Sequence, residues 1–88
     1  MTFTTPPLLS GVLDLAAGEG RVFNMYQGIR LAMIPDGGNV TYSKVDEPDA
    51  TAHDPATQLT VTAETVIDAD WPWYYVTCDT GTARVALV

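Results

Sequence analysis

Cysteine, histidine and basic residues are scarce in this chain of 88, which has one, one and four of them. A lone Cys78 cannot close an internal disulfide, and no metal-ligand spacing surrounds it, so the fold must stand on packing. His53 has no second histidine and no serine in a recognisable arrangement, completes no triad, and reads as an exposed loop residue. Four Lys and Arg against eleven Asp and Glu leave a net charge of −7, a field that repels phosphate backbones and lacks the basic stripe that nucleic-acid binding needs. No apolar run is long enough to span a bilayer. The segment Met1–Leu9 has no basic start and no long apolar run, so it is not a secretory signal. These shortages predict a soluble, cytoplasmic protein with no cofactor and no metal that binds neither nucleic acid nor membrane. Nor is an enzyme expected, because no nucleophile, base and orienting group can be assembled from the residue types present.

What is present is apolar. Hydrophobic residues make up 47% of the chain and charged ones only 17%, enough for a core and too little charge to coat the outside. A single domain of this length buries only about 60% of its extended surface. A partner or self-association would therefore add stability, and some apolar surface is expected to meet one.

Read in order, Met1–Leu9 is threonine-rich and then stiffened by Pro6-Pro7, which hold an extended conformation and cannot lie in a central strand. It reads as an arm before a single β-domain over 10–88. Val12-Leu13-Asp14-Leu15 alternates as a short strand with Leu13 and Leu15 buried. A glycine-rich break follows, and Arg21 to Tyr26 resumes as a second strand. Ile29–Ile34 and Val40–Val45 flank Pro35-Asp36-Gly37-Gly38-Asn39 as a hairpin, with Leu31, Met33, Val40 and Tyr42 inward. Residues 46–57 carry two prolines and four acids and no apolar side chain larger than alanine, so they form a solvated loop. Gln58–Ala63 puts Leu59, Val61 and Ala63 inward, and Thr65–Asp68 adds a short strand. The chain closes on a second hairpin, Trp71–Val88, turning at Asp79-Thr80-Gly81-Thr82, where Gly81 supplies positive φ.

The two hairpins superimpose without a gap. Arg30–Val45 lies on Trp73–Val88, with Asp36 on Asp79, Gly38 on Gly81, and Leu31, Met33, Val40, Tyr42 on Tyr74, Val76, Ala83, Val85. Upstream, Leu13-Asp14-Leu15 matches Leu59-Thr60-Val61, and Val22-Phe23-Asn24 matches Val66-Ile67-Asp68. The expected fold is all-β: a compact sandwich or small barrel of about eight short antiparallel strands in two pseudo-repeated halves, 10–45 and 58–88, joined by the acidic loop.

The terminal hairpin has two faces. Tyr74, Val76, Cys78, Ala83, Val85 and Leu87 share the inner one, where Cys78 acts as a small hydrophobe opposite Ala83. Trp73, Tyr75, Thr77, Arg84, Ala86 and Val88 share the outer one, which is too aromatic to be simply wet and is the candidate partner-binding face. The opposing reading packs that face under the arm or the acidic loop of the same chain. A row of Trp71, Trp73 and Tyr75 could instead stack on a sugar, with Asp68 and Asp70 fixing hydroxyls. Asp46, Glu47, Asp49 and Asp54 lack the spacing of a calcium loop and read as a solvated acidic loop.

The sequence resembles small virion accessory proteins of tailed bacteriophages, such as head-decoration proteins. The likeness rests on Thr2-Phe3-Thr4-Thr5-Pro6-Pro7, on the internal repeat, and on the terminal Arg84-Val85-Ala86-Leu87-Val88. It implies a non-enzymatic virion component, made in the host cytoplasm, that binds capsid or other virion subunits and forms a homo-oligomer such as a trimer. Partner contacts are then expected at Phe3, Pro6, Pro7 and Leu8 of the arm and at Trp71, Trp73, Tyr75 and Arg84. The alternatives are a carbohydrate-binding module and a small acidic inhibitor.

Overall fold

The computed structural model describes residues 11–25, 30–68 and 70–88. The arm, with Phe3, Pro6, Pro7 and Leu8, lies outside the described residues. Eight strands run in chain order: β1 Gly11–Ala16, β2 Gly20–Asn24, β3 Arg30–Asp36, β4 Val40–Lys44, β5 Leu59–Val61, β6 Thr65–Asp68, β7 Trp73–Cys78 and β8 Thr82–Leu87. No helix occurs among the described residues. The strands form two four-stranded antiparallel sheets, ordered β1-β8-β3-β6 and β2-β7-β4-β5. The expected all-β sandwich is therefore the fold, with the winding of a double-sheet jelly roll.

Both expected hairpins are corrected. β3 pairs with β8 and β6, and β4 with β7 and β5, so β3 and β4 lie in different sheets. β7 and β8 are likewise divided. Each glycine turn is an arch that carries the chain from one sheet to the other. In a hairpin, Leu31, Met33, Val40 and Tyr42 would all line one layer and need a second to cover them. As an arch they face each other, and all four are at most 8% exposed. Tyr74, Val76, Ala83 and Val85 close the same core from their two sheets, joined by Phe23, Leu15 and Cys78. Cys78 pairs in the ladder with Val40 rather than standing opposite Ala83.

The two arches interlock at their turns. A β-carbon built on Gly38 would collide with the Thr80 carbonyl oxygen, and one on Gly81 would lie 2.5 Å from that of Asp36. Gly37 and Gly81 both have positive φ, 74° and 70°. The Thr80 hydroxyl donates to Asn39 Oδ1 at 2.6 Å, and Asp79 N–H donates to the Asn39 carbonyl at 2.9 Å. Pro35 is tolerated in an inner strand because β6 stops pairing at Met33, so no ladder bond to β6 is lost.

The repeat seen in the sequence is carried by the ladder register. Moving each residue to its counterpart turns Leu31↔Leu87 into Tyr74↔Lys44 and Met33↔Val85 into Val76↔Tyr42, both observed pairs. Leu13↔Val85 becomes Leu59↔Tyr42, and Val22↔Tyr75 becomes Val66↔Ala32, again both observed. The halves are thus related by a pseudo-two-fold that exchanges the sheets. Two inward assignments fail: Leu59 is 57% exposed and Ala63 is exposed, because β5 is a three-residue edge strand that stops at Val61.

Candidate functional site

Because β7 and β8 part company, the predicted outer face is split between opposite sides of the sandwich. Trp73, Tyr75 and Thr77 line the outside of the β2-β7-β4-β5 sheet, while Arg84, Ala86 and Val88 line the outside of the other. Arg84 therefore does not join the aromatic residues.

Over the first face the acidic loop folds back onto the sheet. His53 Nδ1 lies 2.7 Å from Ser43 Oγ, and its Nε2 lies 2.7 Å from Thr77 Oγ1. The imidazole packs against the Tyr75 ring with centroids 4.7 Å apart. Asp54 N–H donates to Ser43 Oγ at 3.3 Å, and Lys44 N–H donates to Thr57 Oγ1 at 3.0 Å, fastening the loop at two further points. Thr77 donates to Asp79 Oδ1 at 3.1 Å, Thr41 donates to Asp79 Oδ2, and Thr41 meets Thr60 at 2.9 Å. One proton assignment uses each hydroxyl hydrogen once. Thr77 gives its proton to Asp79, Nε2–H donates to Thr77, and Ser43 donates to Nδ1, so His53 is the neutral Nε2–H tautomer.

His53 is thus half-buried rather than exposed, and the fold supplies the serine partner that sequence order hid. Burial lowers its pKa, opposed in part by the Asp79 carboxylate. Ser43 is fully buried beneath the loop, so its hydroxyl is closed to any substrate and the cluster serves to hold the loop. Tyr75 leans across β2, where a β-carbon on Gly20 would meet its hydroxyl at 2.6 Å. The acidic loop thus lies over Tyr75 and Thr77 on this side.

Trp71 stands at one end of the same sheet, 39% exposed, its Nε1–H donating to the Val45 carbonyl at 2.8 Å. Lys44 Nζ lies 6.0 Å from the Trp71 ring and 3.0 Å from Asp70 Oδ2. Tyr74 donates its phenol to Asp70. Burial first, and then the Asp70 carboxylate, raise the Tyr74 pKa, while the Tyr74 hydrogen bond and then Lys44 lower that of Asp70. A shallow cleft of about 250 Å³ between Lys44, Glu47 and His53 adjoins this group. Trp71 is exposed, while Trp73 and Tyr75 are half-buried.

The second outer face is apolar, and no hydrogen bond or ring contact among the described residues fastens a loop over it. Val12, Ala86, Ala32 and Val66 form one row across β1, β8, β3 and β6. Val12 is 62% and Val66 50% exposed, bracketing the two buried alanines. On one side of the row Arg84 Nε pairs with Asp14 Oδ1 at 2.9 Å beside exposed Ile34. On the other, Arg30 Nε pairs with Asp68 Oδ1 at 3.1 Å beside exposed Val88. The Arg84 guanidinium holds the Asp14 carboxyl below its usual value. A cleft of about 780 Å³ opens at the end of this face, among Asp14, Glu19, Ile34, Asp36 and Arg84. Sequence reading grouped Ala86 and Val88 with the aromatic residues and missed Val12 and Val66, since only strand order brings them together.

Among the described residues no group of His, Cys, Asp and Glu is arranged to hold a metal ion, and no helix is long and apolar enough to cross a membrane. No family model matches this sequence, and neither a curated relative nor a solved structure matches it.

Proposed function

We propose that this protein is a non-enzymatic structural component of a tailed-phage particle, a decoration or stabilising protein that binds other virion subunits. The observation that carries the reading is the apolar row Val12–Ala86–Ala32–Val66 on the outside of one sheet, flanked by ion pairs and ending in exposed Val12 and Val66. Jelly rolls serve capsid and lectin domains alike, so the fold is compatible with the reading without selecting it. Sealing of Ser43 and the pairing of His53 argue for scaffold over catalysis. In mechanism, the arm Thr2–Leu9 lies along or adds a strand to a neighbouring subunit, and many weak contacts on one shell sum by multivalency.

Deletion of Met1–Leu9 is expected to abolish incorporation into the parent particle while leaving a folded domain. Unchanged incorporation overturns the reading. Light scattering should give a trimer or another symmetric cluster. The sugar-binding reading rests on the half-exposed Trp71 ring beside Lys44 and Asp70. Glycan-array binding that vanishes in Trp71→Ala would favour it over the virion role.

A further inference from the structure

In the sequence, the correspondence between the two halves of the domain extends to what precedes them. Residues 46–57 lead into β5 as the arm leads into β1. The correspondence extends beyond the strands: Thr57 is tied to Lys44, and its counterpart Gly11 pairs with Leu87, the counterpart of Lys44. Continuing back along the chain sets His53 against Pro7 and Asp54 against Leu8. The three side chains that receive His53 are Ser43, Thr77 and Tyr75. Their counterparts on the other sheet are Ala86, Ile34 and Ala32, all on its outer face, where no described loop is fastened.

The chemistry changes on both sides of this correspondence together. A polar floor of Ser43, Thr77 and Thr41 is covered by a polar loop whose key is an imidazole. An apolar floor of Ala86, Ile34 and Ala32 has as its counterpart a segment that carries Phe3, Pro6, Pro7, Leu8 and Leu9 around Thr4 and Thr5. Where Tyr75 lies on the first face, its counterpart is the small side chain of Ala32, in a row bounded by exposed Val12 and Val66. Proline at the position of His53 suits a floor that offers no polar side chain to bond.

We propose that the outer face of the β1-β8-β3-β6 sheet is the seat of the chain's own segment Phe3–Leu9, with Pro7 over Ala86 and Ile34 as His53 lies over Ser43 and Thr77. This stands whether or not the protein belongs to a virion. Within the virion reading, it makes binding of the arm to a neighbour an exchange of one such face for another.

The test uses the full chain carrying Pro7→Cys with Ala86→Cys, against a control pair of Pro7→Cys with Asp49→Cys in the acidic loop, under mild oxidation. Seating of the arm should join the first pair within one chain at least about tenfold faster than the control, because it raises the local thiol concentration. Buried Cys78 should remain as the one free thiol. Equal rates, or no reaction in the first pair, overturn the proposal. Cross-linked dimers of the first pair overturn seating within one chain and assign the face to a second copy's segment.

A measurement without cysteine substitutions uses fluorine-labelled phenylalanine, since the chain has only Phe3 and the buried Phe23. In Ala32→Glu the Phe3 resonance should move to the position of a free decapeptide of residues 1–10, with Phe23 unchanged. A Phe3 resonance already at that position in the unsubstituted protein overturns the proposal.

Discussion

His53 Nδ1 lies 2.7 Å from the hydroxyl of Ser43, a residue with no exposed surface, and this pair pins a loop of solvent-facing composition to the outside of a sheet. The pair turns an acidic connection into part of the domain's packing.

Ser43→Ala should destabilise the protein by about 1–3 kcal/mol, because it strips partners from a half-buried imidazole nitrogen and from the Asp54 N–H at once. Urea unfolding measures the loss. Hydrogen exchange should show residues 46–57 opening while the β3·β8 ladder stays protected.

Acidification should weaken the fold in two stages. Burial depresses the pKa of folded His53, so the unfolded chain takes up its proton first as pH falls below 6.5. The contribution of His53 is therefore complete above 6.5 and is lost as pH falls towards the depressed value. Asp14 and Asp70 are also held low, by Arg84 and by Tyr74 with Lys44, and their contribution is lost as pH falls below 3.8. Melting temperatures across this range should show both stages, and His53→Gln should flatten only the upper one.

The arch glycines should differ sharply. Gly37 has positive φ but open space around it, so Gly37→Ala should cost about 1–2 kcal/mol of backbone strain alone. Gly81 combines positive φ with backbone atoms of Asp36, Gly37 and Gly38 within 2.9 Å of a built β-carbon. Gly81→Ala should therefore cost about 2–4 kcal/mol, strain and overpacking together. Paired thermal melts of the two variants test the difference.

Val66→Lys, at a half-exposed position on the apolar row, should leave stability within about 0.5 kcal/mol. It should nonetheless reduce incorporation into the parent particle. Loss of folding instead, seen by circular dichroism, would show the row to be core.

Much of the fold was legible because alternation is a local property. Leu31, Met33, Val40 and Tyr42 announce an inward face through their spacing, and all four are buried. The repeat was legible too: Leu13 and Leu59, like Val22 and Val66, occupy counterpart places in the ladders. The site was less so. Ser43 and His53 are separated by a proline-bearing loop, and nothing in their spacing says that the loop folds back. Arg84 looked like a neighbour of Trp73 and Tyr75 because a hairpin would have made it one.

Strand positions, inward faces and the glycines at the turns follow from the sequence alone, because side-chain period and backbone freedom act within a few residues. Which strand pairs with which was decided by the tertiary structure. A turn such as 36–39 can close a hairpin or an arch with the same residues. Only the need to cover two inward faces with each other selects the arch. That choice sends Arg84 and Tyr75 to opposite sides, places His53 over Ser43, and assembles the row of Val12, Ala86, Ala32 and Val66 from four distant parts of the chain.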